Sequence, residues 1–178
     1  MQGEKFTTYP LSISAILGLI KANDIAIPEI QRPFVWKSKQ VRDLMDSLYK
    51  GYPVGYIILW KNPNVKLKDG TISAGKKVLI DGQQRVTALM TALAGQNIIN
   101  EDYKTTRIKI AFDPFAALTG DDEAEIFAVQ TPAHIKSSRW IPDIAEIFSD
   151  NFSCFKFIND YCAINPDMKD ESLDSIIS

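Results

Sequence analysis

Residues Val78-Leu79-Ile80-Asp81-Gly82-Gln83-Gln84-Arg85-Val86-Thr87-Ala88-Leu89 constrain the fold more than any other stretch of the chain. An aliphatic run meets a glycine, two amides and an arginine. A helical pattern follows, with Val86, Leu89, Met90 and Leu93 at i, i+3, i+4 and i+7. Gly95 stands where a helix-terminating glycine belongs. The spacing predicts strand, tight turn, helix. Such a junction offers unpaired N–H groups and the positive end of the helix dipole, roughly half an elementary charge. A phosphate is the guest that suits it, and Arg85, one turn in, adds a planar fork of donors. The same residues also read as a capping box, in which Asp81 accepts from a helix N–H and Gln84 reaches back. Capping, worth about 1 kcal/mol, accounts for Asp81 and Gln84 but leaves Gln83 and Arg85 without a role. On this stretch alone both readings stay open.

Charge tilts the choice. The net charge of −2 conceals an asymmetry. Residues 1–110 hold 16 Lys/Arg against 9 Asp/Glu, whereas residues 111–178 hold 4 against 13. A basic surround favours an anionic ligand at the motif. The change of sign suggests a boundary near residue 115. A chain of 178 residues with 46% hydrophobic content supports a sizeable core. No apolar run reaches the length of a membrane span and no signal-peptide core is present, so a cytoplasmic protein without membrane contact is expected. Cys154 and Cys162 make no disulfide framework, and the single His134 builds neither a zinc site nor a histidine-based nuclease site.

Around the motif the patterns predict further elements. Ile13, Ile16, Leu17 and Ile20 form a helix face behind Ser12 as N-cap. A short strand is expected at 25–27. Pro28 to Trp36 is held extended by two prolines and is rich in Gln, Arg and aromatic residues. A helix capped by Ser38 runs to Gly51, with Val41, Leu44, Met45 and Leu48 on one face and Asp43 and Asp46 on its solvated side. Residues 56–60 are near-continuously apolar and predict a central strand. Residues 66–77 form a polar hairpin, and 106–112 alternate as one half-buried strand. A short strand at 125–129 and short helices beyond 141 follow, the last without a closing cap, as though the chain were the front of a longer one. Gly70 to Lys77 has the glycine and lysine spacing of a phosphate-binding loop. It lacks the terminal Ser/Thr and precedes a strand instead of following one, so it is a decoy.

Two stretches together carry a resemblance: Ile27-Pro28-Glu29-Ile30-Gln31-Arg32-Pro33-Phe34-Val35-Trp36 and Ile80-Asp81-Gly82-Gln83-Gln84-Arg85, with the turn Gly51-Tyr52-Pro53-Val54-Gly55 between them. In this order and context the chain resembles the N-terminal domain of GmrSD-type restriction systems, over roughly residues 10–115. The resemblance implies a mixed α/β (α+β) fold of ParB/sulfiredoxin-like type: a small sheet with flanking helices in residues 1–115, then an acidic, mainly helical extension over 116–178 that begins a larger region. It implies binding and Mg²⁺-dependent hydrolysis of a nucleoside triphosphate, regulating a DNA-targeting nuclease carried in another domain or subunit. DNA is then met through the full-length protein, and a homo-oligomer is compatible with the pattern. Asp81, Gly82, Gln83, Gln84 and Arg85 match the family's nucleotidase motif. Gln31 and Arg32 match its second polar motif, with Phe34 and Trp36 at its aromatic positions. Ile30 departs from the aromatic that relatives often carry. Sulfiredoxins, more distant cousins, place a catalytic cysteine in this turn; none precedes position 154 here, which excludes thiol chemistry.

The residues fit this chemistry on their own terms. Arg32 and Arg85 neutralise phosphates, and Asp81 and Glu29 are the carboxylates for Mg²⁺ or a water, with Asp81 the metal ligand. Gln83 and Gln84 orient water or read a base edge. Phe34 and Trp36 stack on a base or, the favoured reading, pack. The alternative function is a non-catalytic module that grips DNA or senses modified DNA in the same pocket.

Overall fold

Ser12 Oγ accepts from the Ala15 N–H at 3.1 Å and opens α1, Ile13–Lys21, as its spacing predicts; Ile16, Leu17 and Ile20 are buried. The computed structural model describes residues 6–26, 33–61, 64, 66–67, 70–73, 75–121 and 123–177. After α1 come β1 (Ile25–Ala26), α2 (Ser38–Tyr49), β2 (Ile58–Lys61), β3 (Lys77–Asp81) and α3 (Gln83–Ala92). The remainder is β4 (Ile98–Ile99), β5 (Thr105–Thr106), β6 (Ile110–Phe112), α4 (Pro114–Thr119), β7 (Phe127–Val129) and α5 (Pro132–Lys136). A 3₁₀ turn (Ile144–Glu146), α6 (Cys154–Ile164) and α7 (Asp170–Ile177) close it. The fold is mixed α/β, with helices around small sheets, as expected.

The principal sheet has the order β1-β3-β2, with β1 parallel and β2 antiparallel to β3. Strand β3 is therefore central and β2 is an edge, which corrects the expectation for residues 56–60. A continuous apolar run normally marks burial on both faces. Here Ile57 and Leu59 pack against the main core, while Tyr56 is largely exposed and Ile58 and Trp60 are about half exposed. The single strand expected over 106–112 is also divided. Thr105–Thr106 pair with β4, and Ile110–Phe112 pair with β7. Between them Ile108 N–H donates to Thr91 Oγ1, and Arg107 and Lys109 turn toward Asp143, which pulls the segment off any one ladder. Helix α2 begins at Ser38 with Lys37 as its cap position, and Gln40 Oε1 accepts from Lys37 N–H at 2.9 Å, so Ser38 is not the cap.

One hydrophobic cluster joins Ile16, Val41, Leu79, Val86 and Leu89 to Phe112, Phe127, Ile158, Tyr161 and Leu173. It draws residues from both sides of position 115, so the acidic extension packs into the core that supports the motif. Asp113, almost fully buried, caps α4 and pairs with Arg139 at 2.6 Å. The Tyr161 hydroxyl donates to the Arg139 carbonyl, and burial pushes its pKa above the ordinary phenol value.

Candidate functional site

Strand β3 ends at Asp81 and α3 begins at Gln83, leaving Gly82 alone to make the turn. Its φ of +91° is one that a side chain resists. A Cβ there would also stand 3.3 Å from Ile57 Cα and Cγ1 and from Tyr56 O. Gly82 is the N-cap, and no side chain caps the helix. This overturns the capping-box reading. Asp81 is the last strand residue, with a side chain 66% exposed, and Gln84 is committed elsewhere.

Gln84 is buried, and both ends of its amide are used. Oε1 accepts from Val35 N–H at 2.9 Å and Nε2 donates to Pro33 O at 3.2 Å. It clamps the extended segment before α2 against the motif. Arg85 does the same on the opposite side. Nη1 donates to Val54 O at 2.5 Å and Nη2 to Tyr56 O at 2.7 Å. Its contact with Asp81 Oδ2 is longer, 3.5 Å. Gly55, with φ +86°, lies under the guanidinium, and a Cβ there would collide with Nη1. The arginine therefore shapes the 54–56 turn, and the glycine makes room for it.

These clamps frame a cleft of about 650 Å³. Gly82 and Gln83 lie at its base, with Asp81 and Ile80 on one lip and Pro53 and Val54 beside them. Its far wall is Trp36 with Gln40, Asp43, Leu44 and Ser47 of α2. Asp81 through Arg85 and Trp36 are thus brought together. Phe34 is not; it is 4% exposed in the core, bridged to Asn100. Glu29, Gln31 and Arg32 lie outside the described residues. Gln40, Asp43 and Ser47 went unrecognised as cleft residues in the sequence. Asp43 is exposed, as expected, but it faces this wall, and its Oδ1 meets Arg42 Nε at 2.9 Å. Their helical spacing, directly after Trp36, was the available signal. Among the described residues no three His, Cys, Asp or Glu side chains gather around a common point. A second cavity, about 220 Å³, lies among apolar side chains such as Leu93, Phe112 and Ile177 and contains none of the motif. No helix among the described residues is long and apolar enough to cross a membrane.

An uncharacterized protein of Methanocaldococcus jannaschii is 27% identical to this chain over 104 residues. That match takes in 46% of this chain and 17% of the relative, so the chain spans a small part of the protein it resembles. The family model for the GmrSD restriction endonuclease N-terminal domain matches residues 13–176, running through position 115 and over both framing clamps. The chain belongs to that restriction-system family.

Proposed function

We propose that the cleft binds a nucleoside triphosphate and hydrolyses it with Mg²⁺, as the regulatory part of a DNA-targeting restriction nuclease. The observation that carries this reading is the base of the cleft. A left-handed glycine opens a ten-residue helix with no capping side chain, at the floor of a space sized for a small molecule. Backbone N–H groups and the helix dipole there favour phosphate oxygens. In this reading Gly82 and Gln83 hold phosphate, and Trp36 offers its ring to the base. Gln84 and Arg85 act as positioning residues, because their polar atoms already hold the two segments that flank the cleft. Arg32, Gln31 and Glu29 belong to the proposal on sequence grounds alone.

The residues present suit Mg²⁺, which is commonly held by one or two carboxylates together with phosphates and water, not by an all-protein cage. Asp81 on the exposed lip is the ligand this implies, and Asp43 is the other carboxylate lining the cleft. A bound ion supplies charge neutralisation for the triphosphate. The nuclease and its DNA target belong to the larger protein or partner subunit.

A panel of nucleotides, with Mg²⁺ or with chelator, tests the reading by calorimetry and phosphate release. At least one nucleotide binds, release requires Mg²⁺, and Asp81→Asn slows it about 100-fold or more. If wild type and the Asp81→Asn and Arg85→Ala variants behave identically toward every nucleotide, the reading is wrong.

A further inference from the structure

The edge strand β2 and the turn that leads into it present aromatic rings to solvent. Tyr56 is 79% exposed, Tyr52 54% and Trp60 50%. Rings of this size are usually placed where their area is covered. The same region is strongly basic. Residues 61–77 contain Lys61, Lys66, Lys68, Lys76 and Lys77 against a single acid, Asp69. The ladder brings two of these lysines together: Lys61 stands directly opposite Lys77, one position beyond the Trp60–Val78 pair. Like charges directly opposite each other destabilise a sheet, so the fold carries a cost there that an anionic partner removes. Lysine on an edge strand also discourages strand-to-strand pairing. That purpose does not call for exposed Tyr56, Ile58 and Trp60, which work against it.

A partner that suits both features has flat apolar faces and regularly spaced negative charge. Duplex nucleic acid presents the charge but hides the faces in its stack. A single strand presents both, its phosphates to lysine and its bases to aromatic rings. We propose that β2 and its flanking turns form a binding surface for single-stranded nucleic acid. Bases stack on Tyr56 and Trp60, and Lys61 and Lys77, which leave the ladder on the face opposite Trp60, meet the backbone as the nucleic-acid strand wraps the sheet edge. Neither aromatic residue lines the cleft, so this surface stands independently of the nucleotide reading. The two are mechanically adjacent, since Arg85 of the motif holds the Tyr56 carbonyl.

Fluorescence anisotropy tests the surface with a labelled DNA strand of about 15 nucleotides, the matching RNA strand and the matching duplex, each across a salt series. A single strand binds more tightly than the duplex, and the preferred sugar identifies the source of the ligand. Tyr56→Ala combined with Trp60→Ala weakens binding about 10-fold or more, while Tyr56→Phe with Trp60→Phe retains it. Lys61→Gln with Lys77→Gln lowers the salt slope by about 1.4. Thermal melting confirms that each variant is folded. Equal binding of duplex and single strand, or an unchanged affinity in the alanine variant, overturns the proposal. So does loss of binding in Asp81→Asn, which would put the strand in the cleft.

Discussion

Arg85 and Arg107 are used in opposite ways. Arg107 meets a carboxylate whose side chain is 5% exposed, Asp143, with Nη2 2.8 Å from Oδ2 and 3.0 Å from Oδ1; Lys109 adds a third contact at 3.5 Å. Asp143 also accepts from the Ala145 N–H, so this carboxylate is fully engaged, while Arg107 Nε stays buried without a hydrogen-bond partner. Arg85 instead spends its guanidinium on two backbone carbonyls and stands 3.5 Å from Asp81, whose side chain faces water. The difference separates a region built to hold together from the one we propose to receive a ligand. In the first the carboxylate is consumed by the fold; in the second it is left available.

The largest stability effect should come from the consumed pair. Removing one partner of a buried ion pair costs about 3–5 kcal/mol. Arg107→Leu is expected near the lower end, about 3 kcal/mol, because Lys109 still reaches Asp143. Denaturant unfolding measures it. The phosphate-release rate per folded molecule should stay unchanged, and a specific loss of activity would break the division between the two regions.

Gln84→Leu is expected next. It strands the Val35 N–H and the Pro33 carbonyl, each worth about 1–3 kcal/mol when buried and unsatisfied. Partial access of water to this part-buried contact places the loss at about 2 kcal/mol. Because the clamp also sets the Trp36 wall, nucleotide affinity should fall with stability. Stability lost with affinity intact would show that the wall is positioned by other contacts.

The contrast also explains what was legible in the sequence. The β3–Gly82–α3 unit was readable because strand period, glycine and helix period are all local, and Ser12 announced α1 in the same way. The destination of Gln84 was not, since its partners lie 49 and 51 positions back along the chain. Local pattern offered it a cap; tertiary contact supplied a better partner. The edge position of β2 was hidden for the same reason. Apolar content says that a strand can be buried, while only the topology says whether a neighbour arrives to cover it. Arg107 and Lys109 fitted the polar positions of an alternating strand, and nothing nearby in sequence announced Asp143. Within the cleft, the motif side was visible as a motif, whereas the α2 wall looked like an ordinary solvated helix face.

Gly55→Ala tests the receiving region with a smaller perturbation. The added methyl meets a positive φ and the guanidinium together, for about 1–2 kcal/mol of lost stability. Arg85 must withdraw or the 54–56 turn must move. The expected signature is weaker nucleotide binding that Arg85→Ala does not worsen further, because both variants release the same turn. Additive losses in the double variant would show that Arg85 also contacts the ligand directly.

Asp81→Asn should be the mildest for the fold and the most damaging for activity. An exposed ion pair is worth about 0.2–1 kcal/mol, and the 3.5 Å contact to Arg85 lies at the weak end of that range. Asp81 caps no helix N–H, since Gly82 occupies the cap position without side-chain help. Unfolding midpoints of the variant and wild type should therefore nearly coincide, while phosphate release slows about 100-fold or more. Had Asp81 been the helix cap, Asp81→Ala would lower stability by about 1 kcal/mol and leave catalysis intact, whereas Asn caps a helix as well as Asp does. Stability and phosphate release move in opposite directions under the two readings of Asp81→Ala, so the alanine variant decides whether this carboxylate serves the fold or the ligand.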